Sequence, residues 1–253
     1  MEPQFYKGNR DAFMEKLAPG SLALFFSGVP VRKTADEDYA YFANRNFVYL
    51  TGMEQKDTIL MLEKDASGYR ETLFILPPNL IEERWTGARM KPEEIEAASM
   101  ISNFAYRDTF EEELKKVLAS GRIEKVYLDI DRMDGQVVVS GADSMETFLK
   151  QEYPNLLIEN SLPILKKLRL IKKPCEIRAM EKAQEITKAG ILAMMTHSKP
   201  GMYEYQYKAE YDYALAQHGV LEAGFPSIIS AGKIISASTI MVTGDRLWMG
   251  ISY

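Results

Sequence analysis

The segments T-I-L-M-L-E (58–63) and E-T-L-F-I-L-P-P (71–78) are short apolar runs, each of strand length. Behind them K-P-E-E-I-E-A-A-S-M-I (91–101) changes to a helical period, opened by Pro92 and two glutamates. Strand-length runs interleaved with amphipathic helices restrict the chain to an α/β architecture, and the same alternation extends to both sides. Before these segments, a helix over about Asn9–Leu17 ends at A-P-G, and S-L-A-L-F-F-S-G-V-P-V reads as a buried strand. N-F-V-Y-L-T-G, stopped by Gly52, reads as a second strand. After them come an amphipathic helix, F-E-E-E-L-K-K-V-L, and a strand, E-K-V-Y-L-D-I-D. The helix S-M-E-T-F-L-K-Q-E-Y-P, stopped before Pro154, and the strand N-L-L-I-E-N close the region.

From S-L-P-I-L-K-K-L-R-L-I-K-K-P onward long helices dominate, one starting at Pro174 and one over about Tyr203–His218, closed by Gly219. Two domains are expected, over 1–159 and 160–253, in a chain of 253 residues. A net charge of −5 gives no general attraction to nucleic acid or anionic lipid. No apolar run is long enough to span a bilayer. A single cysteine, Cys175, fits a reducing cytosol, and the expected location is cytoplasmic.

Most of the eye-catching motifs have plain structural readings. His197 and His218, the two histidines, fall in last helical turns, where they complement free carbonyls. D-I-D-R-M-D-G has Asp134 and Gly135 each one place late for a calcium loop and reads as a strand end and turn. S-A-G-K lacks the upstream glycine and following hydroxyl residue of a phosphate loop. The tyrosines of M-Y-E-Y-Q-Y-K-A-E-Y-D-Y are separated by acids that oppose a phosphate backbone, so they read as a helix packing its aromatic face. Two stretches point to contact surfaces instead: R-K-T-A-D-E-D-Y-A-Y, in an expected loop, and E-E-R-W-T-G, with Trp85 in an expected polar loop.

Several phrases resemble the aminopeptidase P (Xaa-Pro aminopeptidase) family in that family's order. D-Y-A-Y-F-A-N-R-N-F-V-Y-L-T-G resembles its phrase ending F-x-Y-L-T-G; T-L-F-I-L-P-P with E-R-W-T-G-A-R-M resembles its strand and W-x-G-R-R-L loop. L-R-L-I-K-K-P-C-E-I-R-A-M-E-K-A resembles its R-x-x-K-S-P-E-E-I helix start, and K-P-G-M-Y-E-Y and F-P-S-I-I-S-A-G-K continue it. The resemblance implies a creatinase-like amino domain, with a mixed sheet and flanking helices, followed by an incomplete α+β pita-bread domain. It implies metal-dependent release of a residue preceding proline, usually with two manganese ions that activate a bridging hydroxide. Proline-containing peptides would be the substrates, and a homo-oligomer could form through the amino domain.

Residue by residue, the resemblance places Asp36 near the substrate's N-terminus, lets Trp85 reach a neighbouring subunit's active site, and makes Arg169 the arginine before the helix start. Departures occur at Tyr39–Ala43, where the family often has Y-P-F-R-Q, and at Cys175, where it has a glutamate. The family's metal ligands, two Asp, one His and two Glu, come after the point where the resemblance stops. Beyond Lys233 the chain has one acidic residue, Asp245, and no histidine.

A base lost near the Lys233 codon would account for that tail. Read in the shifted frame, 241–242 must give glycine, 248–249 aspartate and 249–250 glycine, and the last two fall within a D-G-D-L phrase typical of the family. The expectation is therefore a truncated enzyme with an out-of-frame tail over 234–253, no metal ligands, and no activity by itself. The alternative is a noncatalytic binding or oligomerisation module. On either reading Ile186, Met194 and Tyr211 are expected to be exposed for want of the rest of the sheet.

Overall fold

The computed structural model describes residues 1–132 and 139–230. The chain divides into two compact units, Met1–Ile171 and Lys172–Tyr253.

In the first unit, α1 (Pro3–Glu15) leads into β1 (Ser21–Phe26), a short hairpin of β2 (Arg32–Thr34) and β3 (Glu37–Asp38), and α2 (Arg45–Thr51). Next come β4 (Ile59–Asp65), β5 (Gly68–Ile75), α3 (Leu80–Thr86), α4 (Pro92–Ser99) and β6 (Phe104–Tyr106). The unit closes with α5 (Phe110–Ala119), β7 (Lys125–Leu128), α6 (Gly141–Glu152), β8 (Leu157–Asn160) and α7 (Leu162–Leu170). Six strands form one sheet in the order β6-β5-β4-β1-β7-β8. β4 is antiparallel to β1 and β5, while β1/β7, β5/β6 and β7/β8 are parallel, so the sheet is mixed.

The alternating pleat gives β1 two buried faces. Leu22 and Leu24 join Met61, Phe74, Val126 and Leu128 under Phe110, Leu114 and Leu118 of α5 and Leu149 of α6. Phe25 turns the other way and meets Phe13 of α1 edge to face, with ring centroids 5.2 Å apart. On that face α1 packs against α2, α4 and α7. Arg10 ties these elements together from a fully buried position. Its guanidinium donates to Glu71 of β5 at 2.6 and 3.1 Å, to the Leu50 carbonyl of α2 at 2.8 Å and to the Ser99 carbonyl of α4 at 2.9 Å.

Four expectations are corrected here. N-F-V-Y-L-T-G is the helix α2, not a strand: the Asn44 side chain accepts from the Asn46 and Phe47 amides, and Gly52 closes the helix in the left-handed conformation. Trp85 sits on α3, not in a loop, because Asn79 caps that helix in the same way. The stretch around Asp36 is the β2–β3 hairpin, and α1 begins at Pro3 rather than near Asn9. Apart from these four, the compact division of the chain falls after α7, in which Leu165 is fully buried.

The second unit contains α8 (Pro174–His197) and α9 (Glu204–Ala216), packed against each other. They approach closely at Gly190, where an added Cβ would lie 2.5 Å from the Tyr211 ring and 2.8 Å from Leu215 Cδ1. Ile186, Met194 and Tyr211 are half-buried, not exposed. The exposed apolar residues of α8 are instead Ile177, Met180, Ile191, Leu192 and Met195. The turn through Asp134 and Gly135, the end of S-A-G-K and the tail 234–253 lie outside the described residues.

Candidate functional site

A cavity of about 490 Å³ opens between the segment leaving the β2–β3 hairpin and the segment following α3. Asp38, Tyr39 and Tyr41 line one side; Thr86, Gly87 and Arg89 line the other. The hairpin is braced by ion pairs of Arg32 with Asp38 at 3.1 Å and Lys33 with Glu37 at 2.8 Å. Asp36 occupies its exposed turn, beside Ala35 at a φ of 36°. Glu82, outside the lining, bridges two residues within it, Lys56 at 3.1 Å and Arg89 at 2.5 Å, and Arg89 also donates to the Pro77 carbonyl. The Lys56 ammonium is the main cause holding the Glu82 carboxyl below its ordinary range.

Tyr41 hydroxyl donates to the Ser27 carbonyl at 2.9 Å, and burial pushes its phenol above the ordinary value. The walls therefore offer phenols, a guanidinium and carboxylates, groups that can both donate to and accept from a polar ligand. Asp36 and Trp85 flank this cavity through their neighbours in sequence; neither belongs to its lining. Trp85 is 88% exposed.

Arg169 belongs elsewhere. Its Nη1 donates to Asn46 Oδ1 at 2.5 Å, and Asn46 Nδ2 in turn donates to both oxygens of buried Asp129 at 2.9 and 3.0 Å. The guanidinium carbon stands 5.7 Å from the centre of the Tyr49 ring. Burial raises the Asp129 carboxyl, while the Asn46 donor and the Arg169 charge pull it the other way. Arg169 lines a separate cavity of about 320 Å³ with Arg45, Lys166 and Asp131. The structure thus brings the hairpin and the α3 loop to one cavity and Arg169 to another.

A dinuclear centre needs several hard oxygen donors and an imidazole at one place. Among the described residues no group of three or more His, Cys, Asp or Glu side chains is placed to hold a metal ion. His197 Nδ1 lies 2.6 Å from Glu210 Oε2, which is a pair and not a cluster. The described residues do not fit the metal centre.

Residues 6–127 match the aminopeptidase P amino-terminal domain, and residues 178–240 match metallopeptidase family M24, in that order. The chain is 27% identical over 235 residues to the Xaa-Pro aminopeptidase of Escherichia coli strain K12, covering 91% of this chain and 53% of that protein. Its fold matches the structure of a putative aminopeptidase P from Bacillus anthracis with a TM-score of 0.86 and 30% identity, over 89% of this chain and 54% of that one. The chain belongs to the aminopeptidase P family. A zinc-substituted E. coli aminopeptidase P in complex with product also matches, with a TM-score of 0.76 and 26% identity, over 89% of this chain and 52% of that one. The chain spans about half the length of the curated relatives it matches. Membership of M24 implies a metal cofactor for the family. No helix among the described residues is long and apolar enough to cross a membrane.

Sequence reading passed over Lys56, Glu82 and Arg89, and the Asn46–Asp129 pair. The one available signal was N-R-N-F: an asparagine just ahead of an apolar run marks a helix start, and it would have placed Asn46 in the first turn of α2.

Proposed function

We propose that residues 1–230 form the peptide-positioning part of an Xaa-Pro aminopeptidase, and that this chain does not turn over substrate by itself. The observation that supports it best is the order of the two family matches along one chain. In this reading the amino-terminal domain covers 1–159 and the start of the pita-bread domain follows. Asp36, Trp85 and Arg169 bind the substrate, Asp36 toward its N-terminus and Trp85 from a neighbouring subunit. The family chemistry, hydrolysis before proline with two manganese ions, belongs to ligands that the described residues do not supply. The single cysteine supports work in a reducing cytosol.

A second reading, a noncatalytic oligomerisation module, is favoured by α3, where Leu80, Ile81 and Trp85 are 78%, 77% and 88% exposed. One preparation tests both. A manganese-supplemented assay of the purified chain on an Xaa-Pro peptide is expected to give no hydrolysis above the buffer rate; measurable turnover overturns the claim of inactivity. Sedimentation of the same sample separates the readings, since an oligomer that Trp85→Ser dissolves, without turnover, favours the module.

A further inference from the structure

A third cavity, of about 380 Å³, lies on the opposite side of the sheet from α1, between α5 and α6 over the end of β1. Its volume is in the range of small-molecule sites and far exceeds the voids that close packing leaves in protein interiors. Apolar side chains line its depth: Phe26, Ile59, Phe110, Leu114, Met145 and Phe148. Backbone geometry keeps it open. An added Cβ at Gly141, the first residue of α6, would lie 2.9 Å from the Phe26 ring, so α6 already rests against β1 and cannot move in to fill the space.

The rim carries both charges. Arg107 donates its Nε to Asp57 Oδ1 at 3.0 Å and its guanidinium carbon stands 5.5 Å from the centre of the Phe110 ring, while its terminal nitrogens make no hydrogen bond among the described residues. Glu111 is exposed at the start of α5 and pairs with no cation among the described residues, Arg107 included. An apolar cavity with two guanidinium nitrogens open to a further acceptor and an unpaired carboxylate at its mouth matches a molecule with one large apolar group, one carboxylate and one ammonium. An internal peptide residue has neither charge; a free amino acid has both.

We propose that this cavity binds a free large apolar amino acid, such as phenylalanine, as its zwitterion. The side chain lies among Phe26, Phe110, Leu114 and Phe148, the carboxylate faces Arg107 and the ammonium faces Glu111. The site is independent of the peptidase reading: it holds a ligand whether or not the chain acts on peptides.

Calorimetric titration of the full chain with L-phenylalanine tests it, with circular dichroism confirming that each variant is folded. The expected result is one saturable site with a Kd of roughly 1 mM or tighter. L-alanine, L-phenylalaninamide and N-acetyl-L-phenylalanine should each bind at least about tenfold more weakly, since each lacks one of the three features. Arg107→Gln should weaken phenylalanine by about tenfold, and Ser144→Phe, a rim change that fills the mouth, should abolish binding. No binding to the folded wild type at about 10 mM, equal binding of any of the three analogues, or unchanged affinity in either folded variant overturns the proposal.

Discussion

Asp129 is a carboxyl with almost no exposed surface, held by the amide of Asn46 and, one step further, by Arg169. Its burial raises its folded pKa, and the pH dependence follows from that direction. Below the ordinary aspartate value of about 3.9 it is protonated in both folded and unfolded chains and adds no pH-dependent term. As pH rises from there through the raised folded value, the unfolded chain releases the proton first, so stability falls across that window and stays lower above it. Asp129→Asn keeps an acceptor for Asn46 without the charge. Its stability relative to wild type, from urea unfolding at a series of pH values, is expected to rise between pH 4 and neutrality. A difference that moves the other way would mean that Arg169, not burial, governs the carboxyl. None of this was legible in the sequence: Asn46 and Asp129 are 83 positions apart, Arg169 a further stretch away, and Arg10 with its carbonyl partners Leu50 and Ser99 is 40 and 89. Local pattern carries no information about pairings of that range.

Elements were legible where period and punctuation agreed. β1, β4, β5, β7 and the helices behind Pro92 and Pro174 each combine an unambiguous period with a clear stop. N-F-V-Y-L-T-G misled because its aromatic and β-branched residues suit a strand, while two caps and burial of Phe47 and Leu50 favour a helix. Gly190 illustrates the same competition. By intrinsic propensity, Gly190→Ala should stabilise α8 by about 1 kcal/mol. The new Cβ would meet the Tyr211 ring at 2.5 Å and Leu215 at 2.8 Å, a collision that costs about 1–3 kcal/mol in a packed contact. The collision is expected to win: hydrogen exchange in α8 and α9 should become faster in the alanine variant. Slower exchange would show that the helices separate freely enough to make room.

The division of the whole molecule turns on α7. Its sequence, L-P-I-L-K-K-L-R-L, adjoins the phrases that resemble the catalytic domain, and sequence grouping places it there. Physically it belongs with the first unit: Leu165 is fully buried, the Ser161 amide donates to the Leu128 carbonyl at 2.9 Å, the Tyr49 hydroxyl reaches the Leu168 carbonyl at 3.4 Å, and Arg169 reaches Asn46. Two fragments distinguish the boundaries. Residues 1–171 retain all of these contacts and are expected to unfold in one cooperative transition. Residues 1–159 lose α7, and with it a buried leucine side chain worth about 1.5–3 kcal/mol and a charged hydrogen bond worth about 1.5–3 kcal/mol. The shorter fragment should therefore be less stable by about 3 kcal/mol or more in urea, a large part of what holds an ordinary domain together. Equal stability of the two fragments would place α7 with the second unit after all.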